Sequence, residues 1–206
     1  MDPFDFDESV RTRGFPLIAG VDEAGRGPIA GPVVAAAVIL PRGVRIEGVR
    51  DSKTIGRTER EDLCSQIRQR ALSIGISAVG PDEIDRINIL RATVRAMTEA
   101  VMKLGLTPDM VLIDALSLPS LSLRQVPLVR GDAASACIGA ASIVAKVYRD
   151  GLMRDCHALY PHYGFEKHKG YATKKHLEMV ALHGPCPIHR KTFQSISSLA
   201  LPFGRA

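Results

Sequence analysis

At 206 residues, with 46% hydrophobic and 24% charged residues, the chain has ordinary globular composition. It is long enough to bury about 70% of its unfolded surface without disulfide or metal staples. Its formal charge is +5, its longest strongly apolar run (Val33 to Leu40) is too short to span a bilayer, and the acidic start MDPFDFDES lacks the order of a secretory signal.

In chain order, residues 1–13 read as a flexible tail. Leu17 to Glu23 and Val33 to Leu40 read as strands joined by a Gly/Pro turn around Gly27-Pro28. Thr58 to Arg70 reads as a helix and ALSIGISAVG (71–80) as a third strand. Leu90, Val94, Met97, Val101 and Leu104 are spaced four, three, four, three, which predicts a helix stopping at Gly105 before Pro108. DMVLIDAL (109–116) and RQVPLVRG (124–131) read as short strands. One long helix is expected over 134–160, its first half rich in small residues that permit close approach to a sheet, and a last one over Thr173 to Leu182. Consecutive strands followed by alternation predict an α/β fold, a mixed sheet flanked by helices, with a basic helical C-terminal extension.

Charge is concentrated in that last third. Residues 141–192 hold nine Lys or Arg against four Asp or Glu, the rest of the chain is neutral, and all six histidines lie between 157 and 189. A basic segment on a neutral protein suits a polyanionic partner, although a solvated helix face reads the same way. The cysteines at 64, 137, 156 and 186 have no zinc-like spacing and are expected as buried thiols in a reducing, cytoplasmic setting. The histidines form no convincing metal set and are read as structural or phosphate-adjacent.

Three strands end in acids: Asp22 with Glu23, then Asp114, then Asp132 after PLVRG. Ligand sites in open α/β sheets collect at the carboxyl ends of strands, and clustered carboxylates repel unless protonated or neutralised. A hard divalent cation such as Mg²⁺ neutralises them with few protein oxygens, leaving room for water and substrate phosphate. Each acid also has a plainer reading: Asp132 as a helix cap, Asp114 at a turn, Asp22 and Glu23 paired with arginines such as Arg26. Adjacent strand residues face opposite ways, so Asp22 and Glu23 share a metal only if the strand ends or bulges there.

AGVDEAGRGPIAGPVVAAAVIL (19–40), DSK (51–53), DRINIL (85–90), GDAASACIGAASIVAKVYRD (131–150), YPHYGFEKHKGYAT (160–173) and PIHRKTF (187–193) together resemble the ribonuclease HII family, in that family's order. The resemblance implies an RNase H-like catalytic domain over 14–150, a helical substrate-binding extension over 151–197 and a second flexible tail over 198–206. It implies a monomeric, metal-dependent endoribonuclease that cuts the RNA strand of RNA–DNA hybrids. Incision 5′ to ribonucleotides embedded in duplex DNA is also implied, leaving 5′-phosphate and 3′-hydroxyl with Mg²⁺ or Mn²⁺ as cofactor, and no membrane partner. The family's acidic quartet falls on Asp22, Glu23, Asp114 and Asp132. Its junction-reading glycine motif falls on Gly25, Arg26 and Gly27, its junction-sensing tyrosine on Tyr171 and its phosphate-contacting lysine on Lys53.

Two positions depart from the family pattern: Ala115 where many relatives carry glycine, and Thr192 where serine is usual. A junction-binding module that does not cut, or a DNA-directed nuclease of the same fold, are the competing readings. A nucleotide-binding phosphotransferase is disfavoured because no GxxxxGK[ST] is present.

Overall fold

The structure is a computed structural model that describes residues 1–49 and 55–200. Five strands form one sheet: β1 (Ile18–Ala24), β2 (Val33–Ile39), β3 (Ser73–Val79), β4 (Met110–Asp114) and β5 (Gln125–Leu128), in the order β3-β2-β1-β4-β5. The first three are antiparallel, while β4 and β5 run parallel to β1, giving the expected mixed sheet. All seven residues of β2, VVAAAVI, are buried, because helices cover both faces.

On one face lies the long helix α6 (Ala136–Leu159), over a core of Ile18, Val34, Ala36, Val38 and Leu112. Its small residues let it sit against the sheet backbone: a Cβ at Gly20 would lie 2.0 Å from the Cys137 carbonyl carbon. The other face is covered by α4 (Ile89–Met102), which follows the short α3 (Pro81–Ile87). The apolar stripe expected to define α4 is only partly its buried face. Leu90 is exposed, Leu104 lies past the helix end, and Ala92, Thr93, Ala96, Met97, Ala100 and Val101 are the residues inside. Alanine is preferred because the sheet is close: a Cβ at Gly75 would lie 2.0 Å from the Ala100 carbonyl oxygen.

The N-terminal residues, expected as a tail, form helix α1 (Pro3–Thr12). Asp2 caps it through the Phe4 amide, and the buried Asp7 accepts from the Cys137 amide at 2.9 Å, at the start of α6. Arg11 donates to the Leu40 carbonyl at 2.9 Å. Helix α2 (Arg57–Arg70) stands where it was expected. The single helix expected over 134–160 is broken instead: α5 (Gly131–Ala134) is one turn, Ser135 is extended, and its side chain caps α6.

Beyond α6 come a 3₁₀ turn (Pro161–Tyr163), α7 (Phe165–His168), α8 (Lys174–His183) and α9 (Gln194–Ala200). They close over a third core built from Met153, Tyr163, Phe165, Val180, Cys186 and Ile196, which also takes in Ile29 and Ala30 from the β1–β2 connection. The boundary expected between 150 and 151 falls inside α6, which is continuous there. Residues 201–206 of the expected C-terminal tail, and the DSK segment with Lys53, lie outside the described residues. No helix among the described residues is long and apolar enough to cross a membrane.

Candidate active site

Strand pairing brings the acids together. β1 and β4 are parallel neighbours with Val21 opposite Ile113, so Asp22 and Asp114 are the next residues on adjacent strands. Gly131 then donates its amide to Asp114 Oδ1 at 2.7 Å, which ties the loop after β5, and hence Asp132, to the end of β4. β1 neither ends nor bulges at Asp22: it pairs with β2 without a break from Gly20 to Ala24. Asp22 and Glu23 therefore start on alternate sides of the strand, yet their carboxyls still feel each other. Burial, the Glu23 charge and the Asp114 charge raise Asp22 well above the ordinary carboxylate range, against a hydrogen bond from Ser142. Burial also raises Glu23, against the nearby Arg26.

Among the described residues, no three His, Cys, Asp or Glu side chains are gathered closely enough to hold a metal ion as they stand. The acids are instead held apart by local partners. Glu23 pairs with Arg26 at 3.3 Å, Asp114 takes the Gly131 amide, and Asp132 Oδ1 takes the Ala133 amide at 3.1 Å. One oxygen has no such partner: Glu23 Oε2 is buried and accepts nothing. A buried, unpartnered carboxylate oxygen beside a carboxyl raised by burial and by its neighbours' charge is a donor set short of a cation. These residues fit a hard divalent ion, which needs only a few carboxylates when water and phosphate complete its shell.

The glycine loop and Tyr171 belong to the same place. A cleft of about 270 Å³ is lined by Glu23, Gly25, Arg60, Ser142, Lys146, Arg149 and Tyr171. Gly25 has φ +99° and no room for a side chain, since a Cβ there would lie 2.0 Å from Arg149 Nε. A Cβ at Gly27 would meet Tyr171 Cε1 at 3.7 Å, ordinary contact, so the tyrosine ring stands beside the second glycine. A larger apolar groove of about 540 Å³ between α4 and the loop after β4 contains none of the four acids.

Sequence reasoning missed Ser142, Lys146 and Arg149, although a signal was there: they are spaced four and three, a polar stripe that begins in the small, apolar first half of α6. Arg149 does not pair with the adjacent Asp150. It donates to the carbonyls of Pro32 at 2.9 Å and Ala30 at 3.3 Å, while Asp150 pairs with Lys146 at 2.7 Å. Arg190 was missed too. It is fully buried and donates to three carbonyls of the glycine loop: Gly31 at 2.9 Å, Arg26 at 2.9 Å and Gly25 at 2.6 Å. The histidines are structural where they are buried. His176 and His189 face each other with Nε2 atoms 3.0 Å apart, and His176 Nδ1 lies 2.8 Å from the Tyr171 carbonyl.

Comparison with known proteins accounts for the arrangement. The profile of one family, described as Ribonuclease HII, matches residues 19–196. The ribonuclease HII of Idiomarina loihiensis is 54% identical over 183 residues, 89% of this chain and 98% of its own. That of Geobacter metallireducens is 51% identical over 197 residues, covering 96% and 92%. Among solved structures, the ribonuclease H2 from Pyrococcus horikoshii OT3 superposes with a TM-score of 0.77 at 26% identity, covering 92% of this chain and 100% of that one. Bst-RNase HIII in complex with Mn²⁺ shares the fold, with a TM-score of 0.72 at 17% identity over 94% of this chain and 72% of its own. The matched span takes in every acid at the sheet's carboxyl end together with the loop and tyrosine beside them, and the chain belongs to the ribonuclease HII family.

Proposed function

We propose that Asp22, Glu23, Asp114 and Asp132 are the catalytic and metal-holding residues of this enzyme, a metal-dependent endoribonuclease that hydrolyses the RNA strand of RNA–DNA hybrids. It also incises duplex DNA on the 5′ side of embedded ribonucleotides, leaving 5′-phosphate and 3′-hydroxyl. The observation that carries the assignment is the placement of Asp22 and Asp114 side by side at the ends of two adjacent parallel strands, with the Gly131 amide tying the Asp132 loop to Asp114. Mg²⁺ or Mn²⁺, when bound, supplies an acidified attacking water and charge neutralisation at the leaving 3′ oxygen.

The protein's own groups do the remaining work. Ser142 holds the Asp22 carboxyl in place, and the Gly131 amide does the same for Asp114. Discrimination rests on the 2′-hydroxyl, the group that distinguishes RNA from DNA. Gly25 and Gly27 let the loop backbone approach a sugar edge, and Arg26 is free to turn from Glu23 to a phosphate. Tyr171, half exposed beside Gly27, packs on the following deoxyribose.

Residues 151–197 serve as the substrate-binding extension of a catalytic domain over 14–150. In that extension, Lys167, Lys169, Lys174 and Lys175 take backbone phosphates, which position without reading sequence. Lys53 takes a further phosphate. The protein works as a cytoplasmic monomer. Cleavage-site mapping on a duplex with one ribonucleotide, with Mg²⁺ and with chelator, tests the assignment. Incision 5′ to that nucleotide is expected only with the metal, and equal cutting of the all-DNA twin overturns it.

A further inference from the structure

Arg190 is a buried cation with no carboxylate in hydrogen-bond reach among the described residues. Its five N–H groups form a rigid planar fork. Nη2 donates to the Gly25 carbonyl at 2.6 Å and Nη1 to the Arg26 carbonyl at 2.9 Å, so two successive carbonyls converge on one guanidinium. Nε takes a third, that of Gly31, at the far end of the same loop.

The peptide bonds are trans, and a trans peptide holds its N–H antiparallel to its C=O. Carbonyls 25 and 26 turned toward Arg190 therefore turn amides 26 and 27 away from it. Neither amide donates to a protein acceptor among the described residues. The result is a pair of adjacent, unspent N–H donors in a loop whose glycines leave them open to approach.

The arginine itself is braced from behind. Its own amide donates to the Ile29 carbonyl at 2.9 Å, and its guanidinium lies over the Phe193 ring at 5.1 Å. The next two residues are anchored on α3. Asp85 accepts from the Lys191 amide at 2.8 Å, the Thr192 amide at 3.1 Å and the Thr192 hydroxyl at 2.6 Å. A hydroxyl at 192 is thus the last link of a brace that runs from α3 to the glycine loop.

We propose that Arg190 is the positioning residue for ribonucleotide recognition. By fixing two successive peptide planes of Gly25-Arg26-Gly27, it presents the Arg26 and Gly27 amides as a preset donor pair for the substrate's 2′-hydroxyl and its adjoining phosphate oxygen. The proposal rests on the reading that this loop meets the sugar. It adds that the loop does not hold its shape unaided, and that the residue responsible never touches the substrate.

Arg190→Lys tests it, because an ammonium keeps the charge but cannot hold three carbonyls in one plane. On a duplex with a single ribonucleotide, kcat is expected to fall about 100-fold, the scale of an ångström-level misplacement. KM should stay within about threefold, because the contacts of Lys167, Lys169, Lys174 and Lys175 to the flanking backbone phosphates are untouched. Wild-type kcat in Arg190→Lys, or a loss confined to KM, overturns the proposal.

Should that variant lack a cooperative melting transition, amide hydrogen exchange on the intact protein in chelator decides instead. Arg26 and Gly27 are expected to gain protection with the singly ribo-substituted duplex and not with its all-DNA twin. Equal protection by both duplexes overturns the role given to those amides. Failure of the underlying reading looks different: wild-type protein would then cut both duplexes alike, whatever residue 190 is.

Discussion

Gly25 and Arg149 are packed so closely that a single methyl group cannot come between them: a Cβ on the glycine would stand 2.0 Å from the arginine's Nε. With φ at +99°, Gly25 also occupies backbone space that other residues rarely adopt. Gly27 differs on both counts, having ordinary φ and a nearest neighbour, Tyr171 Cε1, at 3.7 Å. The two glycines should therefore fail in different ways. Gly25→Ala is expected to lower the melting temperature and the yield of folded protein. Gly27→Ala is expected to fold with a melting temperature within about 2 °C of the parent, as solvent-side substitutions do, and still to lose cleavage of ribo-substituted duplex. Thermal melts beside single-turnover rates separate the two, and equal melting temperatures for both variants would contradict this account.

Asp22 is the acid on which burial and repulsion act most strongly. Its folded-state pKa is raised above the unfolded value, so its contribution is favourable below the unfolded pKa and is lost as pH rises through the folded one. At neutral pH the Asp22 carboxyl therefore works against folding. Asp22→Asn should raise the metal-free melting temperature while reducing Mg²⁺-dependent cleavage by about 1,000-fold, the equivalent of several kcal/mol of lost transition-state stabilisation. The wild-type melting temperature should climb when Mg²⁺ is added, and that climb should shrink in the variant. A variant less stable than the parent in chelator would remove the charge argument.

Ala115 follows the acid of β4 and has φ +56°, in the left-handed region. Its amide is held by the Leu128 carbonyl at 3.0 Å and the Leu116 amide reaches back to the Asp114 carbonyl at 2.7 Å, so the turn cannot relax away. A non-glycine residue there costs about 1–2 kcal/mol, partly offset by the chain entropy that glycine loses on folding. Ala115→Gly should stabilise the protein by about 0.5–1 kcal/mol, read as a higher urea midpoint at unchanged slope. A lower midpoint would mean the turn carries no strain.

The strands and the acids were legible because their signals are local. VVAAAVI is apolar enough to be buried on both faces, and Asp22 and Asp114 stand at the ends of two other apolar runs, IAGV and MVLI. What escaped notice depends on partners far away in sequence. Helix α1 looks like an acidic tail until Asp7 meets the Cys137 amide 130 residues on. Arg149 and Arg190 look like solvated charges, since buried arginines are rare; their partners are backbone carbonyls, which leave no mark in the sequence. A break in β1 at Asp22 was the condition for Asp22 and Glu23 to share one metal, but β1 continues to Ala24, and the room left at Gly25 is filled by Arg149. The periodicity of α4 pointed to Leu90, Val94, Met97, Val101 and Leu104 because large residues dominate such a pattern, whereas a helix this close to the sheet buries alanines beside Met97 and Val101.

The buried histidine pair makes stability fall with acid. His176 Nδ1 faces a carbonyl and so carries its proton there, which leaves His176 Nε2 to accept from His189 Nε2–H. His189 Nδ1 is then an acceptor for the Cys186 amide at 3.0 Å. Each ring is neutral in this chain of bonds, and burial holds both histidines down at about 4. Above the unfolded value near 6.5 both states are neutral and the contribution is complete. As pH falls from about 6.5 toward 4, only the unfolded chain takes up protons, and each histidine removes at most about 1.4 kcal/mol of stability per pH unit. Asp22 and Glu23 have the opposite slope, so the decisive quantity is a difference between variants. His189→Gln keeps a donor near Nε2 but has no titrating ring. Its urea midpoint should drop less than the parent's between pH 7 and pH 5, whatever its starting value. Parallel curves would place the acid sensitivity elsewhere.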